Sequence, residues 1–156
     1  MTKLGQFITT VVIGVFAVAL FAMAAVAATR PAAPVARGLG SALESIDSSN
    51  MNTAGLAIMD IYGEQWRGFS TICSGMTPDD IEKLFQVRAA DLGIDGTVGE
   101  DKNYLLAIND KQQYYAEELN RNQVDLCPSG QPLPVTDAAA IVPFVKAENG
   151  TWFLAA

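Results

Sequence analysis

Apolar positions along this chain change period several times, and each change marks a predicted element. Residues 4–29 hold no charged side chain at all. Beyond them, "SALESIDSS" (41–49) predicts a short helical turn. In "NTAGLAIMDIYGEQWRGFSTIC" (52–73), Ile58, Ile61/Tyr62, Trp66, Phe69 and Cys73 recur every three or four residues, which predicts an amphipathic helix. Gly63 and Gly68 weaken that helix by about 1 kcal/mol each, and a strand at "LAIMDIY" is the alternative. "TPDDIEKLFQVRAADLG" predicts a helix over 78–92. Thr77 is its N-cap, Pro78 its first residue, Asp79 and Asp80 face the positive dipole end, and Gly93 ends it. Ile81, Leu84, Phe85 and Leu92 form its apolar stripe.

"NYLLAIN" (103–109) is a continuous apolar run of strand length. Residues 110–122 favour helix through a box-like Asp110/Gln113 start and good helix formers, although Tyr114 and Tyr115 favour strand. "VDLC" is strand-like, and "PSGQPLPVTD" (128–137) is a loop punctuated by prolines. "AIVPFVKAENGTWFLAA" sets two apolar runs around Asn149-Gly150, a strong hairpin pattern, with Pro143 suited to an edge position or bulge. The turn also accounts for the formal Asn149-Gly150-Thr151 glycosylation sequon.

The uncharged opening has two readings. A secretory apolar region runs about 7–15 residues, whereas a spanning helix needs about 20. Residues 7–28 therefore predict a transmembrane helix that follows a short cytoplasmic stretch, 1–6. The opposing feature is Ala25-Val26-Ala27, a small-residue cleavage pattern, which makes a signal peptide cut near Ala27 the alternative. Thr10 and Gly14, like Ala24 and Ala28, stand four apart and offer a stripe on which another membrane helix packs. Residues 29–40, rich in Pro, Ala and Gly, are a linker to one domain over 41–156.

Charge sharpens the picture. All 17 acidic residues lie beyond Arg37, with seven basic ones (Arg67, Lys83, Arg88, Lys102, Lys111, Arg121, Lys146), a balance of −10. Such a surface repels phosphate backbones, so no nucleic-acid partner is expected. The chain has no histidine. That removes the commonest general base and zinc ligand, and with them Ser/His and Cys/His nucleophile pairs. No Walker A run, dinucleotide fingerprint or nucleophile elbow occurs. "DLGIDGTVGEDK" misses a calcium loop, because Gly93 and Lys102 stand at ligand positions; a looser set is Asp91, Asp95, Glu100 and Asp101. Trp66, Phe69, Tyr114, Tyr115 and Trp152 are expected in the core rather than in a ligand cage. No catalytic, cofactor or metal residue is assigned, and no enzyme activity is expected. Cys73 and Cys127 are the only cysteines and lack C-x-x-C spacing, so an exported domain predicts a structural disulfide between them.

The order of a first long helix with Trp66 and Phe69, then "ICSGMTPDDIEKLF", then "IVPFVKAENGTWFLA", resembles small exported actinobacterial proteins with an NTF2-like domain. The resemblance implies an α+β domain, with two or three helices on an antiparallel sheet, after the membrane helix. It implies no one function, since that family holds enzymes, binders and structural modules. The expected function is a non-catalytic, single-pass accessory subunit of a larger bacterial membrane assembly, such as a respiratory supercomplex or a cell-envelope complex. Its domain would lie outside the cytoplasm, with integral membrane proteins and the bilayer as partners. The alternative is a secreted module that binds a small molecule or lipid.

Overall fold

The computed structural model describes residues 38–155. The apolar segment 7–28, with Thr10, Gly14, Ala24 and Ala28, lies outside the described residues, as does most of the linker. Helix α1 (Gly38–Asp47) begins within what the linker was expected to cover. Strand β1 (Thr53–Ala57), helix α2 (Ile58–Tyr62) and strand β2 (Trp66–Ile72) follow. Helix α3 (Pro78–Phe85) leads into a 3-10 turn at Ala89–Leu92. The rest is β: β3 (Lys102–Asn109), β4 (Tyr114–Asn120), β5 (Val124–Asp125), β6 (Thr136–Asp137), β7 (Ile141–Lys146) and β8 (Trp152–Leu154).

The strands form two four-stranded sheets, in the orders β1-β7-β8-β5 and β4-β3-β2-β6. This corrects the expected fold of a membrane helix followed by two or three helices on one antiparallel sheet. The class is α+β, but there are two sheets and few helices, and β5 runs parallel to β8. No helix among the described residues is long and apolar enough to cross a membrane.

The second sheet is covered on both faces, which explains the unbroken apolar run in β3. One face shares a core with the first sheet and the two N-terminal helices: Leu39, Leu43, Tyr62, Trp66, Phe69, Leu105, Phe144 and Trp152 meet there. The other face, with Ile72, Tyr104 and Leu106, is covered by Ile81, Phe85, Ala89, Ile94 and Val98. Strands buried on both faces lose the alternation that half-buried strands show.

Two predicted helices are largely strand. In 52–73, the three- and four-residue spacing is truly helical only over Ile58 and Tyr62, both fully buried. Gly63, at φ +101°, ends that turn. Trp66 and Phe69 then enter the same core from one strand, because the register shifts between Trp66 and Gly68. A bulge adds a residue to the alternation, so positions three apart share a face and imitate a helix. In 110–122, Asn109 heads a tight turn instead of a helix: its Oδ1 accepts from the backbone N–H of Lys111 and of Gln113, both at 2.9 Å. Tyr115 packs on Tyr62 and Trp66, with ring centroids 5.8 and 6.1 Å apart. Tyr114 joins the opposite core and donates to the Phe85 carbonyl at 2.9 Å. Adjacent side chains that serve opposite faces require a strand.

Elsewhere the expectations fit more closely. Thr77 and Asp80 form a reciprocal capping box at the start of α3, with Pro78 at its first turn. The helix stops early, at Gln86 in the left-handed region, so Leu84 is 57% exposed while Ile81 and Phe85 are buried. The closing hairpin pairs β7 with β8, and Gly150 supplies its positive φ of 90°. Pro143 sits in an interior strand rather than at an edge. Its carbonyl accepts from Ala155 N–H at 2.9 Å. Within a strand, N and C=O of one residue point the same way, so the missing N–H faces β8 where that strand runs out.

Candidate functional site

A cleft of about 550 Å³ lies between α1, the end of β4 and the closing hairpin. Its wall includes Glu44, Asp47, Glu117, Asn120, Asn122 and Asn149. A second, of about 260 Å³, is lined in part by Asp95, Lys102, Tyr104 and Glu118. Both clefts are walled largely by polar groups.

Glu117 organises the first cleft. Its carboxylate accepts the backbone N–H of Leu39 at 2.9 Å and of Gly40 at 3.4 Å, and the Tyr62 hydroxyl donates to it. The acid thus closes the N-terminal end of α1, where unpaired N–H groups and the helix dipole favour an anion. Gly38 stands at φ +58°, where side chains are strained, and a Cβ there would displace the Glu117 carboxylate from its place. Across the cleft, the Lys146 ammonium pairs with Asp47.

At the second cleft, Glu118 accepts from Tyr104 Oη at 2.8 Å and pairs with Lys102 at 2.9 Å. Those two donors hold its carboxyl below the usual range. Between the sheets, Arg121 pairs with Asp125 at 2.8 Å and donates to Ser74 Oγ at 3.0 Å. Asp125 in turn accepts the backbone N–H of Cys127 at 2.9 Å. Glu117, Asp47, Glu118 and Asp125 therefore each have a partner within the domain.

Tyrosine ionisation reports on this arrangement. Burial, then the neighbouring Glu117, pushes the Tyr62 phenol far above its ordinary value. Tyr104 is pushed up to about 12 by burial and by its bond to Glu118. Tyr115 is raised by burial and Glu117. A raised folded-state pKa contributes stability that is complete below the unfolded value, about 10, and is lost as pH climbs towards the folded value. Titration followed by phenolate absorbance should show Tyr62 ionising only together with loss of circular dichroism above about pH 10. Full ionisation of all four tyrosines in a folded chain would refute the clasp.

Cys73 and Cys127 form the predicted disulfide, with S–S 2.00 Å and Cα–Cα 5.8 Å. It joins the end of β2 to the end of β5, and so links the two sheets. The looser calcium set does not assemble: Arg88 holds Asp91 through a 2.7 Å pair, and no group of His, Cys, Asp or Glu among the described residues is arranged to hold a metal. Trp66, Phe69, Tyr115 and Trp152 lie in or against the larger core, as expected.

Sequence reasoning missed Glu117 and Asn103. Nothing local marks Glu117, since its partners Leu39 and Tyr62 are distant in the chain. Asn103 is fully buried. Its polar side chain inside "NYLLAIN" was the one available sign. No protein-family model, curated protein or solved structure matches the chain, so the fold and its clefts are read on their own chemistry.

Proposed function

We propose that the domain is an exported, non-catalytic interaction module that serves as an accessory subunit of a larger bacterial envelope or membrane assembly. One observation carries this reading: the carboxylates of both clefts that meet a charged or phenolic neighbour use it to hold the fold. Glu117 holds α1, Asp47 holds Lys146 and Glu118 holds Lys102 and Tyr104. A carboxyl held below the usual range, as that of Glu118 is, makes a poor proton shuttle. The buried disulfide supports export, because such bonds persist in oxidising compartments. The polar cleft walls weigh against the alternative of an apolar-ligand carrier, which needs an apolar pocket. The balance of −10 beyond Arg37 favours basic protein surfaces over nucleic acid.

The test is purification of the native chain from its own membranes in mild detergent, with intact mass and partner identification. The expected result is stoichiometric co-migration with larger membrane proteins. A chain that migrates alone in detergent and in soluble extracts overturns the proposal. The same mass states whether residues 1–27 are retained.

A further inference from the structure

Edges of β-sheets offer unpaired backbone groups, and folded proteins guard them with shortness, charge, proline or bulges. The two sheets have four edges, and three are guarded. β5 and β6 are two residues each. β4 carries Glu117 and Glu118. The fourth, β1, spans five residues, "TAGLA", with no charge, no proline and a regular register against β7.

The orientation of its backbone follows from its neighbours. Lys146 N–H donates to the Asn52 carbonyl at 2.8 Å. Alternation then turns Ala54 and Leu56 towards β7 and leaves Thr53, Gly55 and Ala57 presenting their N–H groups at the free edge. Among the described residues, no strand pairs with that edge. Thr53 and Gly55 are exposed. The outer face beside it is also uncharged: Ile141 is 76% and Val145 42% exposed, with Pro143 between them.

From this we infer that β1 pairs with β1 of a second copy of the chain, antiparallel about a two-fold axis at Gly55. The strand is self-complementary in that arrangement. Each Gly55 N–H donates to the other copy's Gly55 carbonyl, and each Ala57 N–H to the other copy's Thr53 carbonyl. No charged side chain meets another, although each domain is strongly acidic, and the first sheets of the two copies join into one. The uncharged strips of Ile141, Pro143 and Val145 then lie on one continuous face. This pairing is independent of the accessory-subunit reading.

Light scattering and sedimentation on the full purified chain test it, at about 0.1 mM chain, where even a Kd of about 1 mM leaves detectable dimer. Two acidic copies repel, so dimer should increase as salt rises from about 0.05 M to about 0.5 M. A basic partner would show the opposite dependence. Ala57→Pro removes an edge donor at a residue whose φ of −88° is near proline's range. Thr53→Asp adds charge at an exposed edge position. Each should weaken association at least tenfold with unchanged circular dichroism; where Ala57→Pro fails to fold, Thr53→Asp decides. A chain that stays monomeric at all salt concentrations, or a folded Thr53→Asp variant that dimerises like the parent, overturns the inference.

Discussion

Removing the disulfide by the double change Cys73→Ala and Cys127→Ala should lower unfolding free energy by about 4 kcal/mol. The cysteines are 54 residues apart in the chain. A cross-link that closes a loop of this length removes that much conformational freedom from the unfolded ensemble in the chain-entropy description. The enclosed loop contains α3, β3 and β4, so most of the second sheet is restrained in the unfolded chain. Both sulfurs are buried and sit in the larger core, so some packing is lost as well. Urea unfolding of the parent and the variant measures the difference. A decrease under about 1 kcal/mol would show that the native state, and not the unfolded one, dominates the bond's effect.

Asn103→Ala should be nearly as damaging, by about 3–5 kcal/mol. Asn103 lies in β3 and is fully buried. Its Nδ2 donates to the carbonyls of Leu119 at 3.1 Å and Val124 at 3.0 Å, and its Oδ1 accepts Leu126 N–H at 2.8 Å. One side chain thus joins β3 to β4, to β5 and to the residue just beyond β5, on either side of the turn where the chain passes from one sheet to the other. Alanine removes all three side-chain bonds and opens a small void. Asn103→Asp keeps the shape but replaces the donor with a carboxylate that faces two carbonyl oxygens. It should be more destabilising than alanine at neutral pH. Burial raises such a carboxyl's folded pKa, so the gap between the variants should narrow as pH falls and the group gains its proton. A gap that is constant from neutral to acid pH would show that water, rather than Asn103, satisfies those carbonyls.

Legibility in the sequence followed the distance over which each element is determined. The Thr77 cap, the Asn149-Gly150 turn and the β3 run are set by residues within a few positions, and each appears in the structure. The disulfide was legible because two cysteines leave one pairing. Elements that depend on a distant partner were not legible. Trp66 and Phe69 look helical because one extra residue in a bulge puts positions three apart on the same face. Tyr114 and Tyr115 override good helix formers only because a separate core waits on each side of β4. The division into two sheets turns on Asn103 and on the parallel β5–β8 pairing, neither of which carries a local pattern. The Glu117 clasp on α1 was illegible for the same reason: an exposed-looking acid in "AEELN" meets Tyr62 and Leu39 only after the sheets have formed.

The pairing of Thr53 with Val145 and of Ala57 with Ile141 also sets a timetable. β1 precedes most of the domain, yet the strand that receives it is in the closing hairpin. During synthesis, β1 has no strand neighbour until nearly every later residue has emerged. Local pieces such as α3 and the β3–β4 hairpin can form beforehand, because their contacts span short loops. The first sheet, whose β1–β7 pairing spans the longest loop, is expected to close last. Until then both edges of an uncharged strand stand open, so a holding factor that masks "TAGLA" during synthesis should raise the yield of folded protein, whereas one that binds only the second-sheet strands should leave it unchanged.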